Sequence, residues 1–219
     1  MSELKKHLYD SNSEGDKNRV LLRGWIEAPV KFDHQNTGSP IYTTMIRVER
    51  KSGVSDIIPV FIKENKLVSL DRKPLIGDFV EVHGYFHSKN TYLSDNKRIL
   101  ENYVYADKIS YASTILPPIS EVYLTGEICR CNEARVTTGG RRLADFLLRV
   151  RRKTHRFSTI PCVVWGEYRS TKIAEAGEGT KLELMGRIQS REYTKIENGV
   201  GISRTIYEVS VTDFEIKSE

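Results

Sequence analysis

The chain repeats itself. At a constant offset of 102 residues, Gly24 meets Gly126, Pro59 meets Pro161, Gly77 meets Gly179, Gly84 meets Gly186 and Ser88 meets Ser190. Val20, Leu22 and Ile26 meet Val122, Leu124 and Ile128. Arg47-Val48 and Arg50-Lys51 meet Arg149-Val150 and Arg152-Lys153. Ile58, Glu81 and Tyr105 meet Ile160, Glu183 and Tyr207, and no gap is needed between Val20 and Tyr105. Two copies fit tandem domains, whereas a solenoid needs more units. A chain of 219 residues is long enough for two small domains. The expected division is a polar N-terminal arm over residues 1–19, a first domain over 20–110, a connector over 111–120 extended by Pro117-Pro118, and a second domain over 121–217.

Within each copy the apolar pattern has period two, the signature of half-buried strands. In the second copy, strands are expected at Val122–Ile128, Leu143–Arg152, Thr159–Trp165, Lys181–Met185 and Ile206–Val211. A short helix is expected within Arg169–Ala176, ended by Gly177. Gly139-Gly140, Asn198-Gly199 and, in the first copy, Thr37-Gly38 mark hairpin tips. Five strands with one helix between the third and fourth is the element order of an OB-fold, a partly open five-stranded barrel. The expected fold class is therefore all-β, with two tandem OB-folds. Gly24, Gly84, Gly126 and Gly186 suit the sharp bends of barrel strands.

Composition narrows the function. With 39% hydrophobic and 29% charged residues, wholesale disorder is excluded. No apolar run approaches a membrane span and the N-terminus has no secretory pattern, so a soluble, cytoplasmic protein is expected. Three cysteines do not make a disulfide framework, and Cys129 and Cys131, expected on one strand face, have no second ligand pair; no metal or cofactor is expected. No P-loop, GxSxG or HExxH occurs, so no enzyme is expected. The net charge of +5 identifies no partner, but its distribution is uneven. From Arg130 to Arg156, nine basic residues face only Glu133 and Asp145.

The residues resemble the bacterial single-stranded-DNA-binding protein family. In the second copy the resemblance rests on Val122-Tyr-Leu-Thr-Gly126, Ile160-Pro-Cys-Val-Val-Trp-Gly166, Gly177-Glu-Gly179, Gly186-Arg-Ile-Gln-Ser-Arg-Glu-Tyr193 and Tyr207-Glu-Val-Ser-Val211. In the first it rests on Arg50-Lys-Ser-Gly53, Asp56-Ile-Ile-Pro-Val60 and Gly84-Tyr-Phe-His-Ser88. It implies an OB-fold, multimeric single-strand binding in replication, recombination or repair, and no catalysis; related primosomal replication proteins share the fold. Two departures stand out. Family members carry a long tail ending in a partner-recruiting peptide, whereas this sequence stops at Glu215–Glu219, close behind its last strand. The second copy keeps aromatics at Trp165 and Tyr193, whereas the first has Lys63 opposite Trp165 and Tyr92 only near the position of Tyr193.

Single-strand binding needs cations for phosphates and ring faces for bases. Strand parity points Phe146, Leu148 and Val150 inward, and Leu147, Arg149 and Arg151 outward. In the next strand it points Ile160, Cys162 and Val164 inward, and Val163 and Trp165 outward. The candidate binding face in the second copy is Arg149, Arg151, Trp165, Arg187, Arg191 and Tyr193, with Lys153 and Arg156 beside it. The first copy offers Arg47, Lys63, Tyr85, Lys89 and Tyr92, but places Glu49 where the second has a cation, and is expected to bind more weakly. The expected partners are single-stranded DNA, replication proteins and a second copy of the chain, paired through strand edges to give four OB-folds. A protein-interaction adaptor and an RNA-binding protein are the alternatives.

Overall fold

The computed structural model describes residues 17–92, 98–153, 156–197 and 200–217. The expected hairpin tip at Asn198-Gly199 and most of the N-terminal arm lie outside them. The first half holds β1 (Asn18–Ile26), β2 (Lys31–Asn36), β3 (Ser39–Glu49), β4 (Ser55–Lys63), α1 (Glu64–Val68), β5 (Phe79–Tyr92) and β6 (Arg98–Tyr111). The second holds β7 (Ile119–Cys131), β8 (Arg135–Val136), β9 (Arg142–Arg151), β10 (Phe157–Trp165), α2 (Glu167–Ala176), β11 (Lys181–Glu197) and β12 (Val200–Ile216). Asn18 and Arg19 join the first strand instead of the arm, because the Asn18 side chain is tied to the backbone N–H and C=O of Phe86 at 2.8 and 2.9 Å. Residues 112–118 connect the halves, since Tyr111, Ile119 and Ser120 all lie in strands.

Each half closes a ring of five strands. In the first, β1 pairs with β3 and β5, β3 with β4, β5 with β6, and a short parallel ladder joins β4 to β6. The second ring joins β7, β9, β10, β12 and β11 in the same way. The seams are short: β1 meets β3 at only Trp25↔Arg47 and Ile26↔Ile46. These are two tandem OB-folds, with β2 and β8 added as outer hairpin arms. Alternate strand residues fill each interior, among them Ile46, Ile58, Phe86 and Val104 in one and Leu148, Ile160, Ile188 and Val209 in the other, all fully buried.

Glycine makes the tight turns of these walls possible by leaving room. A Cβ on Gly24 or Gly126 would collide with the carbonyl oxygen of Arg47 or Arg149 on the facing strand. Gly84 and Gly186 lie at matching register shifts in β5 and β11. At Thr37-Gly38 both residues have positive φ, 49° and 78°, the geometry of a two-residue hairpin.

The repeat offset holds through β5 and β11, then changes. The parallel ladders pair Phe61 with Tyr105 and Val163 with Ser210. The structural equivalent of Tyr105 is therefore Ser210, not the Tyr207 suggested by the sequence match. The second copy carries three more residues in its β11–β12 hairpin, which a match at constant offset does not reveal.

Edge-to-edge pairing, expected between two chains, is made inside this one. β1 runs antiparallel to β7 from Asn18↔Leu124 to Arg23↔Ile119, leaving β2 and β8 at the ends of a 12-stranded sheet. A bulge between Ile128 and Arg130 interrupts the alternation expected to put Cys129 and Cys131 on one face.

Candidate nucleic-acid interface

The second-barrel candidates gather on the β9–β10 hairpin and on the β11 arm. Phe146, Leu148 and Val150 are buried, and Arg149 and Arg151 are exposed, as strand parity requires. Arg149 pairs with Glu127 at 2.8 Å and lies 5.4 Å from the centre of the Phe157 ring. Phe157 stands opposite Arg151 in the ladder and is 54% exposed, an open ring beside two guanidinium groups. Lys153 and Arg156, around the hairpin turn, are exposed. Trp165 ends β10 at the far end of this hairpin and is half-buried. The Arg141 guanidinium sits 4.6 Å from its ring centre, a cation–π contact at an exposed site.

Val163, expected outward, is 2% exposed. It sits between Asp145 of β9 and Ser210 of β12, in the middle of three paired strands, with a neighbouring residue on either side. Its equivalent Phe61 is buried for the same reason. Parity places Arg187, Gln189, Arg191 and Tyr193 together on β11, but they differ in availability. Arg187 is half-buried beside Arg50 and Asp56 of the first barrel, and burial lowers its pKa. Gln189 is buried and donates to Glu208 at 2.7 Å. Arg191 pairs with the same Glu208 at 3.3 Å and lines a cleft of about 390 Å³ with Arg130, Asp145 and Pro161. Tyr193 is half-exposed on the β11 arm, opposite Arg204.

The basic run from Arg130 to Arg156 is split by the fold. Arg135 is held by Asp145 at 2.7 Å. Arg142 lies 3.8 Å from Glu167. Arg152 turns between the barrels, donating to the Ser158 hydroxyl at 2.7 Å and to the carbonyl of Ser88. The outward cations near the β9–β10 turn are Arg149, Arg151, Lys153 and Arg156.

In the first barrel, Arg47 pairs with Glu27 at 3.0 Å and lies over Trp25 at 4.7 Å. Lys63 ends β4, and Tyr92 is 67% exposed at the tip of β5. Lys89 lies 3.4 Å from Glu101 and 4.8 Å from the Phe61 ring centre. Tyr85 has Arg19 at 5.2 Å and Lys153 of the second barrel at 5.0 Å from its ring centre. The sequence reading missed Arg141, Phe157 and three rings beside Tyr85, namely His87, Tyr103 and Tyr105. The signal available was alternation: His87 shares parity with Tyr85, and Tyr103 with Tyr105.

Among the described residues, no helix is long and apolar enough to cross a membrane. Residues 119–217 match the single-strand binding protein family. The chain is 32% identical over 104 residues to a single-stranded DNA-binding protein of Enterococcus faecalis, covering 45% of this chain and 54% of that one. It is 30% identical over 104 residues to that of Lactiplantibacillus plantarum, covering 45% and 50%. The chain thus spans about half the length of the curated relatives it matches. The crystal structure of the single-stranded DNA binding protein from Thermus aquaticus superimposes with a TM-score of 0.75 at 18% identity, over 94% of this chain and 95% of that one. That likeness covers both barrels and establishes their shared fold. The second barrel therefore carries the match to the single-strand binding protein family, and the first repeats its fold.

Proposed function

We propose that this chain binds single-stranded DNA without chemical conversion, by stacking bases on aromatic rings and neutralising phosphates with arginine and lysine. The observation that carries this reading is Trp165, a half-buried ring at the open end of β10 with a guanidinium over it, in the barrel that matches the family. Tyr193, Phe157, Arg149, Arg151, Lys153 and Arg156 extend the same surface. A sequence-tolerant platform of rings and cations suits protection of DNA during replication, recombination or repair, in the bacterial cytoplasm.

Two chains are proposed to associate through the outer face of the β1–β7 pair. Leu21 and Tyr123 are repeat equivalents there and pack with Ile119 and Met185 as a small apolar cluster apart from the barrel cores. Such a face is self-complementary about a two-fold axis. Light scattering that gave only 25.1 kDa at micromolar concentration would refute it.

The test of binding is tryptophan fluorescence titrated with dT oligonucleotides, with duplex DNA as control. Quenching by single strands alone, lost in Trp165→Ala together with about tenfold in affinity, supports stacking. No quenching, together with unchanged anisotropy of a labelled oligonucleotide, would leave the protein-adaptor reading. Preference for an RNA oligonucleotide of matched sequence would favour the RNA reading.

A further inference from the structure

The outer face of the first barrel carries rings on three neighbouring strands. Phe61 of β4 meets Tyr103 of β6 at 4.4 Å between centres. Tyr103 meets His87 of β5 edge-on at 6.0 Å. His87 lies near-parallel to Tyr85 and to Tyr105, at 17° and 19°, with centres 6.0 and 5.5 Å apart. Cations border the array. Lys89 lies over Phe61, Arg19 and Lys153 lie over Tyr85, and Arg152 is near Tyr103.

The second barrel is an internal control for what this face requires. The equivalent of Phe61 is Val163, that of Tyr85 is Arg187, and that of His87 is Gln189. Register gives Glu208 for Tyr103 and Ser210 for Tyr105. There the face is a polar network: Gln189 donates to Glu208, and Glu208 pairs with Arg191. The same barrel therefore closes without a single ring at these positions, so closure does not explain them. The reverse holds at the other surface, where the positions of Trp165 and Tyr193 are Lys63 and Thr91 in the first barrel. Each barrel has its rings where the other has none.

We propose that Tyr85, His87 and Tyr105 form a second base-stacking platform, on the first barrel, with phosphate contacts supplied in part by Lys153 of the second. This rests on the single-strand reading above and extends it. Lys153 and Arg156 sit at the β9–β10 turn, while Trp165 sits at the other end of that hairpin. Trp165 pairs with Leu143, and Phe157 pairs with Arg151, eight residues away. At about 3.3 Å per residue the hairpin spans roughly 26 Å. A strand stacked on Trp165 can follow Arg149 and Arg151 along it and pass at Lys153 onto the first barrel. The sequence ranked the first barrel as the weaker binder because Glu49 replaces a cation; the rings give it a separate means of binding.

The experiment compares the full chain with Tyr85→Leu/Tyr105→Leu, which keeps apolar bulk but removes ring faces, and with Trp165→Leu. Affinity and nucleotides covered per chain are read with labelled dT oligonucleotides about 10 and about 30 nucleotides long, lengths set by the ~4–16 nucleotides an OB-fold covers. The expected result is that the double variant loses about tenfold on the longer oligonucleotide and covers fewer nucleotides. Unchanged affinity and coverage in the double variant, with binding weakened by Trp165→Leu, would overturn the platform and leave the first reading standing. Absence of single-strand binding in the unmodified chain would overturn both. A second readout needs no substitution: ultraviolet crosslinking of an oligonucleotide containing 5-iodouracil. Crosslinks to peptides bearing Tyr85, His87 or Tyr105 support the platform, and crosslinks confined to Trp165 and Tyr193 refute it.

Discussion

Val20 of β1 lies directly opposite Val122 of β7, its own equivalent in the repeat. A residue that faces its own copy marks a two-fold axis. Leu22↔Ser120 and Asn18↔Leu124 exchange under the same operation. The symmetry extends to the contacts on either side. Ser88 N donates to the Ser158 hydroxyl at 3.2 Å, and Thr159 N donates to the Ser88 hydroxyl at 2.9 Å. On the opposite side, Ser190 N donates to Asp56 at 2.7 Å, and Ile57 N to the Ser190 hydroxyl at 3.4 Å. One chain thus builds by duplication what two single-barrel chains would build by association. The two sides differ in one respect: Arg50 binds Asp56 as an ion pair at 2.5 Å, whereas Arg152 binds the neutral Ser158.

That difference predicts how the interface fails. The Asp56 side chain is 1% exposed and holds both Arg50 and the Ser190 amide. Asp56→Ala leaves a mostly buried guanidinium unpaired and should cost roughly 2–4 kcal/mol, read from urea unfolding. Asp56→Ser installs the partner that the other side already uses, and should recover at least half of that loss. Equal losses in the two variants would mean that the serine arrangement does not transfer across the axis.

Gly126→Ala tests barrel closure. Its Cβ would collide with the Arg149 carbonyl oxygen and come within 2.9 Å of the Leu148 side chain, which is fully buried. Neither can retreat without opening the β7–β9 seam. A loss of about 2–3 kcal/mol in thermal or urea unfolding is expected. Gly139→Ala is the control, because its nearest neighbour is the Thr137 hydroxyl at 3.9 Å.

These two sites also show what the sequence could disclose. The glycines were visible because they recur at the repeat offset, and strand alternation put Leu148 and Arg149 on opposite faces. Alternation then failed at Val163, because period two separates the faces of one strand but does not say how closely residues of the strands on either side enclose a position. It could group His87 with Tyr85 and Tyr103 with Tyr105 but could not join them into one array, whose members come from β4, β5 and β6; only the parallel β4–β6 ladder brings Phe61 beside Tyr105. The hairpin insertion was invisible because Tyr207 happens to match Tyr105 by type while standing three positions away from its equivalent. The β1–β7 pairing required knowing which edge the barrel leaves open.

His87 makes stability depend on pH. Burial among the rings, with Arg152 nearby, pushes its imidazole down to about 3 from the usual 6.5. Between those values the unfolded chain takes up a proton that the folded chain refuses. The stabilising contribution is therefore complete above pH 6.5 and declines as pH falls toward 3. The loss at pH 4 should be on the order of 2–4 kcal/mol. His87→Phe should flatten this part of the stability profile. An unchanged slope in urea unfolding between pH 7 and pH 4 would place the titration elsewhere.

Salt dependence separates cations that meet phosphate from cations that meet protein. On a single strand, each phosphate neutralised contributes about 0.7 to the slope of log affinity against log salt. Arg149 is engaged with Glu127 and Arg191 with Glu208, so contacting phosphate requires each to give up part of an existing ion pair. Lys153 and Arg156 are exposed, and among the described residues no carboxylate pairs with either. Lys153→Gln and Arg156→Gln should each lower the slope by roughly 0.7, with little change in folding stability. Arg191→Gln should change the slope less while destabilising the fold, because it leaves the buried Glu208 with one partner fewer. Equal slope changes at all three positions would mean that the ion pairs open on binding and that the whole face, rather than the β9–β10 turn, tracks the backbone.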